Sequence, residues 1–230
     1  NSNEGRIRKY IDSLGTAVAV NSFGGGTVNY FGVYGSMNDG QFNGPSGIDI
    51  DSSGNIYTLD RINNRVQVFD SNGNYLRKFG SMGSSSLQFI NASDLYVDSN
   101  GLIYVIDTSN HRVQIISNDG STLIRWIGNG TTGVGAPPVP SQGNANSQFR
   151  SPSGISVDTN FNIYVSDYAN HRIQVFDKDG NFLRKFGQLG SSNGSFLFPI
   201  GISISNNIFY VADTGNNRIQ LFTLEGYFIA

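Results

Sequence analysis

A short polar stretch that begins with aspartate and ends with arginine recurs along the sequence. Its copies are DRINNR from Asp60, DTSNHR from Asp107, DYANHR from Asp167 and DTGNNR from Asp213. Carboxylate, imidazole and guanidinium groups held close together can transfer protons or ligate a metal ion. A catalytic group is needed once, however, whereas a turn of the scaffold is needed in every copy. The repetition therefore favours a structural role.

The aspartate and the arginine at the two ends of the stretch are assigned to the frame of the repeat. Asparagine tolerates left-handed turn positions, and an aspartate and an arginine can pair across a turn or reach a neighbouring unit. The frame residues predicted in this way are Asp60, Arg65, Asp107, Arg112, Asp167, Arg172, Asp213 and Arg218.

The two histidines of the chain, His111 and His171, occupy one position of this stretch, where the other copies have Asn64 and Asn217. An asparagine at the same place favours a role in turn formation or hydrogen bonding, and two histidines without a third ligand make a poor zinc site. The chain has no cysteine, which excludes disulfides and thiolate ligands. We therefore predict no catalytic residue, no metal site and no cofactor.

Carboxylates also lie in the turns DSSGN from Asp51, DSNGN from Asp70 and DKDGN from Asp177. These turns lack the ligand spacing of a calcium-binding EF-hand loop and the glutamate that ends it. They match hairpin turns in which aspartate bonds the backbone and glycine takes a positive φ, so we interpret them as structural.

The elements that position these residues repeat with a period of about 47 residues. The arginines at 65, 112, 172 and 218 are 47, 60 and 46 residues apart, so the third unit follows an insertion. Within each unit, apolar and polar residues alternate in four short segments separated by turn-forming clusters. Four-stranded sheets of this kind bury their apolar faces by stacking around an axis. The sequence therefore predicts an all-β fold, a β-propeller of four-stranded antiparallel blades.

The run PSGISVDTNFNIYVSDYANHRIQVFDKDGNFLRKFG, from Pro152 to Gly187, resembles the NHL repeat, a family whose fold is typically a six-bladed propeller. The second copy departs from the pattern, because Ser93 and Asp94 stand where the others have Pro-x-Gly, and the fourth is one residue short at SNNIFY. We expect residues 1–230 to form a single NHL-type propeller. Its repeats are predicted at 42–80, 89–128, 149–187 and 198–230, with an inserted loop at 129–148.

Residues 1–41 are interpreted as a partial or degenerate first blade, which brings the chain to about five blades. RIRKYID is similar to a third strand and TVNYFGVYG to a fourth, with the alternating segment TAVAVNS between them. The ring then has either five blades, one of them irregular, or six, with the missing part upstream or in another chain. We favour the second reading, because the chain begins inside a repeat. An open ring exposes apolar faces and strand edges, which favours self-association.

The overall charge gives little attraction to polyanions. With 14% charged residues, a net charge of −2 and a pI near 5.6, the chain has no general affinity for phosphate backbones or anionic membranes. No apolar run reaches the length of a membrane span. Some NHL relatives, notably in tripartite-motif proteins, bind RNA on a propeller face, but the basic pairs at 77–78 and 184–185 fall on outer strands, where charge opposes aggregation. The sequence argues against a nucleic-acid partner.

Glycosylation sequons begin at Asn91, Asn129 and Asn193, all in segments that join one unit to the next. They are no more frequent than the Asn, Ser and Thr content gives by chance, so they favour an extracellular or cell-surface location only slightly.

The blade-to-blade loops of a propeller lie on the same face as the turns between second and third strands. That face carries the Gly/Ser-rich loops and the insertion, and loops on a rigid scaffold are where recognition usually lies. The candidate binding residues on it are Arg61, Ile62, His111, Tyr168, His171 and Asn216.

The function predicted from these features is that of a non-catalytic protein-interaction or scaffold module, whose partner is a protein, a peptide or a glycan. One alternative is a subunit of a homo-oligomeric or fibrous assembly completed by neighbouring chains. A further alternative is a propeller lyase or hydrolase, because relatives of the NHL fold include peptidyl-amidoglycolate lyases with metal ligands near the axis. The scarcity of histidine argues against it.

Overall fold

The computed structural model describes residues 38–230 in full and, before them, the backbone of β1 (Ile7–Ser13) and β2 (Thr16–Phe23). These two strands pair antiparallel. The other residues before position 38 in this expected partial blade, including TVNYFGVYG, lie outside the described residues.

The described sheets form four successive blades. Blade A consists of β3 (Pro45–Ile50), β4 (Ile56–Asp60), β5 (Arg65–Phe69) and β6 (Tyr75–Phe79). A parallel pair, β7 (Ser81–Met82) and β8 (Gln88–Phe89), leads to blade B. Blade B consists of β9 (Asp94–Val97), β10 (Ile103–Asp107), β11 (Arg112–Ile116), β12 (Leu123–Gly128) and β13 (Thr131–Gly133).

The two remaining blades follow the same order. Blade C consists of β14 (Gly154–Val157), β15 (Ile163–Asp167), β16 (Arg172–Phe176) and β17 (Phe182–Phe186). Blade D consists of β18 (Pro199–Ser205), β19 (Ile208–Asp213) and β20 (Arg218–Thr223). The chain's last residues run beside β20, where Ile229 N donates to Leu221 O at 2.8 Å, in the place of a fourth strand.

All pairings between neighbouring strands within blades A to D are antiparallel, which confirms the predicted propeller of antiparallel blades. Helical structure in the described residues is limited to the single 3-10 turns Thr108–Asn110, Tyr168–Asn170 and Thr214–Asn216. No helix in this part of the chain is long and apolar enough to cross a membrane.

The hydrophobic core is divided into layers between successive blades. The two middle strands of blades A, B and C are buried along their whole length, because both of their faces are covered. The layer between blades C and D shows the pattern, with apolar side chains from one face of each sheet. They are Tyr164, Ile173, Val175, Phe209, Val211 and Phe222.

A phenylalanine from each connecting loop is fully buried beside these layers. The four are Phe42, Phe89, Phe149 and Phe196. Gly80 makes room for one of them, since a Cβ at this position would lie 2.6 Å from Phe89 Cε2. The loops are therefore anchored to the sheets that they connect.

The innermost strands are linked by a series of serine hydroxyls. Ser93 Oγ of blade B donates to Ser153 O of blade C at 2.8 Å, and Ser153 Oγ donates to Pro199 O of blade D at 3.1 Å. Ser46 makes the same contact from blade A to Ala92 O at 3.3 Å. Ile200 stands at the next position of the series, so blade D presents an apolar group where the others present a donor.

Candidate binding face

The aspartate and arginine of the repeated stretch pair in every described blade. Arg Nε lies 2.7 to 2.9 Å from Asp Oδ2 across the turn between second and third strands. The pairs are Asp60 with Arg65, Asp107 with Arg112, Asp167 with Arg172 and Asp213 with Arg218. Each aspartate is completely buried, so the turn is a fixed part of the blade.

The rest of the guanidinium group holds the loop that enters the same blade. Arg112 Nη1 donates to Ser84 O at 2.7 Å, and its Nη2 donates to Ser85 O and Gln88 O, both at 2.9 Å. Arg172 repeats this pattern on the loop before blade C. The planar fork of donors suits several carbonyl oxygens at once, which explains why arginine stands at this position.

A buried glutamine completes this frame, and the reasoning from sequence missed it. Gln114 Oε1 accepts from Leu87 N at 3.0 Å, and its Nε2 donates to Gln88 O at 2.8 Å and to Asp107 Oδ2 at 3.2 Å. The equivalent residues are Gln67, Gln174 and Gln220. The available signal was a glutamine at one position in RVQVF, RVQII, RIQVF and RIQLF.

The second oxygen of each aspartate brings loop and turn together on one face. Ile90 N donates to Asp107 Oδ1 at 2.9 Å, and Ser109 N of the turn donates back to Ile90 O at 3.1 Å. Blade C repeats the first contact between Arg150 N and Asp167 Oδ1, at 2.8 Å. The turns and the blade-to-blade loops therefore form a continuous surface, which we call the loop face.

The histidines join the turn of one blade to the loop of the next. His111 Nδ1 accepts from Ser151 N at 3.2 Å, and His171 Nδ1 accepts from Phe198 N at 3.1 Å. Asn64 Oδ1 makes the equivalent bond to Asn91 N at 3.3 Å. Histidine and asparagine exchange at this position because both place an acceptor there and both tolerate the left-handed backbone, with φ of 53° to 56°.

An aromatic cluster stands on the loop face at the junction of blades C and D. Tyr168 stacks on Phe198 with ring centroids 4.9 Å apart, and His171 lies 4.6 Å from the same ring. Phe198 is 38% exposed, and its φ of 54° is unusual for a bulky residue. We call Tyr168, His171 and Phe198 the aromatic platform.

Comparison with known families identifies the repeat. Residues 42–69, 89–116, 149–176 and 196–222 match the model of the NHL repeat. The chain belongs to the NHL repeat family. Each matched segment runs from the loop phenylalanine to the end of the third strand, or one residue short of it in blade D, and so contains the whole Asp, Arg and Gln frame.

Known NHL proteins and solved propellers resemble the chain over different lengths. Protein brain tumor of Drosophila melanogaster is 28% identical over 157 residues, which is 68% of this chain and 14% of that protein. Protein lin-41 of Caenorhabditis elegans is 43% identical over 44 residues, or 19% of this chain and 4% of that protein. A streptogramin B lyase structure superposes with a TM-score of 0.58 at 19% identity, covering 81% of this chain and 53% of the lyase. This last likeness shows the fold alone.

One predicted binding residue belongs to the NHL frame. Asn216, assigned above to the loop face, occupies the place of the asparagine that every copy carries. Its Nδ2 donates to Gly190 O and to Asp213 Oδ2, each at 2.9 Å, as Asn170 Nδ2 donates to Gly143 O at 2.8 Å. Both amide hydrogens are therefore used within the scaffold, and the role of Asn216 in binding stays a prediction. Arg61 and Ile62, by contrast, are exposed on the turn of blade A.

The insertion before the third NHL repeat is not wholly a loop. Thr131–Gly133 forms β13, a fifth strand on the outer edge of blade B, with Gly133 opposite Trp126. The predicted loop at 129–148 is therefore partly sheet, because the Asn129–Gly130 turn, with φ of 54° and 81°, reverses the chain directly. Of the sequons, Asn91 and Asn193 are exposed in loops and Asn129 opens this turn.

The remaining charged motifs are engaged within the NHL scaffold. Asp51 Oδ1 accepts from Ser53 N and Asn55 N at 2.9 Å, as expected for a structural turn. Arg77 Nη2 donates to Asn118 O of blade B at 2.6 Å, so this arginine links blades and does not merely line an edge. Within residues 38–230, no three His, Cys, Asp or Glu side chains form a group that could hold a metal ion.

Proposed function

We propose that the chain is a non-catalytic NHL binding module whose loop face recognises a protein, peptide or glycan. NHL propeller domains in general bind partners. The observation that carries the proposal is the aromatic platform, because partly exposed aromatic rings on a rigid frame are typical of recognition surfaces.

The backbone of Phe198 adds support. The loops before blades B, C and D each hold one residue with φ of 50° to 54° at this position, namely Asn91, Ser151 and Phe198, and only Phe198 places a bulky ring there. The link from His171 Nδ1 to Phe198 N fixes that backbone, and the ring then stacks on Tyr168. The Asp, Arg and Gln side chains of the frame beneath the platform form their hydrogen bonds within the scaffold. Recognition is therefore left to the residues that are exposed on the loop face.

The test compares two junctions of the same propeller. Y168A/F198A removes the platform, and T108A/S151A changes the equivalent positions between blades B and C as a matched control. A printed array of peptides and glycans first identifies the ligands that bind the wild type. We expect the affinity for these ligands to fall about tenfold or more in Y168A/F198A and to change little in T108A/S151A. Equal binding by wild type and Y168A/F198A would move the site elsewhere. Binding of single-stranded RNA in preference to both ligand classes would contradict the proposed partner.

A second candidate function, self-association, is favoured by the outer face of blade D. Ile219 is 58% exposed there, whereas the equivalent Val66, Val113 and Ile173 are fully buried by the following blade. Ile200 on the innermost strand is also 41% exposed. A second copy that stacks a blade on this face would reproduce the layer found between blades. Native mass spectrometry of wild type and I219K tests this: an oligomer that I219K dissociates supports assembly, and a monomer in both contradicts it.

A further inference from the structure

A proline-rich strap covers one part of the loop face beside blade B. After β13, residues 134–141 (VGAPPVPS) return along the end of the sheet, and we call them the strap. A narrow groove lies between it and the blade. Its blade side includes His111, Trp126 and Asn129, and its strap side includes Pro137, Pro138 and Pro140. Val139 points away and is 85% exposed.

Three prolines of the strap line the groove. Three residues make one turn of a polyproline II helix, so Pro137 and Pro140 share a side. The space left between strap and blade is about 10 Å³, no more than one water molecule needs. Ser141 Oγ donates to Asn129 Oδ1 and closes the strap at its far end.

Trp126 is the residue that sets this groove apart from the equivalent places on blades A and C, which carry Lys78 and Lys185. The indole is only 8% exposed and lies against the backbone of Gly133, where an added Cβ would come within 2.7 Å of Cζ2. Its Nε1 is buried, and no residue in the described part of the chain accepts its hydrogen.

The strap is therefore an incomplete ligand for the groove. Prolines pack against aromatic rings, and an extended proline-rich segment leaves its carbonyl oxygens free to accept hydrogen bonds. The strap provides the apolar contact but leaves the indole N–H without an acceptor, which is unfavourable for a buried donor. A peptide that brings both prolines and a carbonyl oxygen to Nε1 has an advantage over the strap.

We propose that the Trp126 groove is a docking site for an extended proline-containing peptide of a partner protein, and that the strap occupies it in the unbound protein. This inference rests on the proposed binding function of the loop face and adds a ligand class and a second contact point. The aromatic platform lies at the next junction, between blades C and D, so the two sites can be tested separately.

Trp126 is the single tryptophan of the chain, so its fluorescence reports directly on the groove. The strap variant P137S/P138S/P140S should shift Trp126 emission to the red, because the indole becomes hydrated. Adding the synthetic peptide GAPPVPS should reverse the shift. We expect GAPPVPS to bind the strap variant about tenfold more tightly than it binds the wild type. On the strap variant, it should also bind about tenfold more tightly than its alanine analogue GAAAVAS.

W126K, which copies the lysine of the other blades, provides a second measurement that does not depend on the strap variant. Fluorescence polarisation of labelled GAPPVPS should show weak saturable binding to wild type and none to W126K. Equal affinity for the proline and alanine peptides, or equal binding to wild type and W126K, overturns the proposal. If Y168A/F198A loses its array ligands while GAPPVPS never binds, the loop-face function stands and the groove assignment fails.

Discussion

Nδ1 of His171 accepts a hydrogen bond from the backbone amide of Phe198, 3.1 Å away, across the junction of blades C and D. His111 makes the same link to Ser151 across the junction of blades B and C. A protonated imidazole has no acceptor, so each link exists only while the ring is neutral. Burial lowers the pKa of both histidines, which keeps the rings neutral near pH 7.

We expect acid to weaken the propeller through these two histidines. Their pKa values are lower in the folded protein than the ordinary 6.5, so the unfolded chain takes up protons first and stability is lost as the pH falls below about 6.5. H111N/H171N copies Asn64 and Asn217 and does not titrate there. Urea unfolding from pH 7.5 to 5.0 should show the wild type losing more free energy of unfolding than the variant. Parallel pH curves would contradict the role of the histidines.

The frame that these links join could be predicted from sequence because it is repeated. Asp60 and Arg65 recur in four copies at fixed spacing, and turn chemistry explains both types. The glutamines recur equally, yet Gln114 was missed. A polar residue in an alternating strand is expected to face solvent, and this expectation fails for a strand whose two faces are both covered.

The aromatic platform and the strap, which are the distinctive features of the loop face, could not be predicted from a repeated pattern. Phe198 shares its positive φ with Asn91 and Ser151 at the same place in the other loops, but its stacking on Tyr168, thirty positions earlier in the sequence, is not encoded in a local pattern. The strap, likewise, is a proline-rich loop in sequence, and its contact with Trp126 exists only in three dimensions.

Replacement of one frame glutamine should lower the free energy of unfolding. Q114L keeps the size of the side chain but leaves Leu87 N without its acceptor, and it removes one donor each from Gln88 O and Asp107. We expect a loss of about 2–4 kcal/mol in the free energy of unfolding, measured by guanidinium denaturation. Q188L, at an exposed position, is the control and should change stability by less than about 0.5 kcal/mol. Similar effects of the two substitutions would show that the frame does not depend on Gln114.

Asp94 should titrate well above the usual range. Burial raises its pKa to about 6, although its carboxylate accepts from Ile155 N at 3.1 Å and Leu95 N at 3.0 Å. The folded state then binds its proton more tightly than the unfolded state, so the ionised group reduces stability above pH 6 and this penalty is relieved as the pH falls towards 4.

The comparison for Asp94 is D94G, which copies Gly47 and Gly154 at the same position of blades A and C. Relative to D94G, the wild type should gain about 1–3 kcal/mol in free energy of unfolding between pH 7 and pH 4. A carboxyl resonance of Asp94 that titrates near pH 4 in an NMR experiment would refute the prediction.

Gly154 and Gly201 stand at equivalent positions in blades C and D but have different surroundings. A Cβ at Gly154 would meet the backbone oxygen of Ile200 closer than real contacts allow, because the innermost strands of C and D approach there. A Cβ at Gly201 would find only Ala212 Cβ, at 3.9 Å, among its described neighbours. G154A should therefore lower the free energy of unfolding by about 2–4 kcal/mol, and G201A by less than about 1 kcal/mol.

This pair of substitutions also separates the two proposed functions. If the chain acts as a monomeric binding module, G201A folds normally, keeps its array ligands and has the same native mass as wild type. If a second copy stacks on blade D, the added methyl group meets that copy's innermost strand as it would meet Ile200 in G154A. G201A then dissociates the oligomer while the thermal unfolding of the monomer is unchanged. A G201A protein as destabilised as G154A would show that the innermost strand of blade D is covered within a single chain, which contradicts both its exposure and the assembly that follows from it.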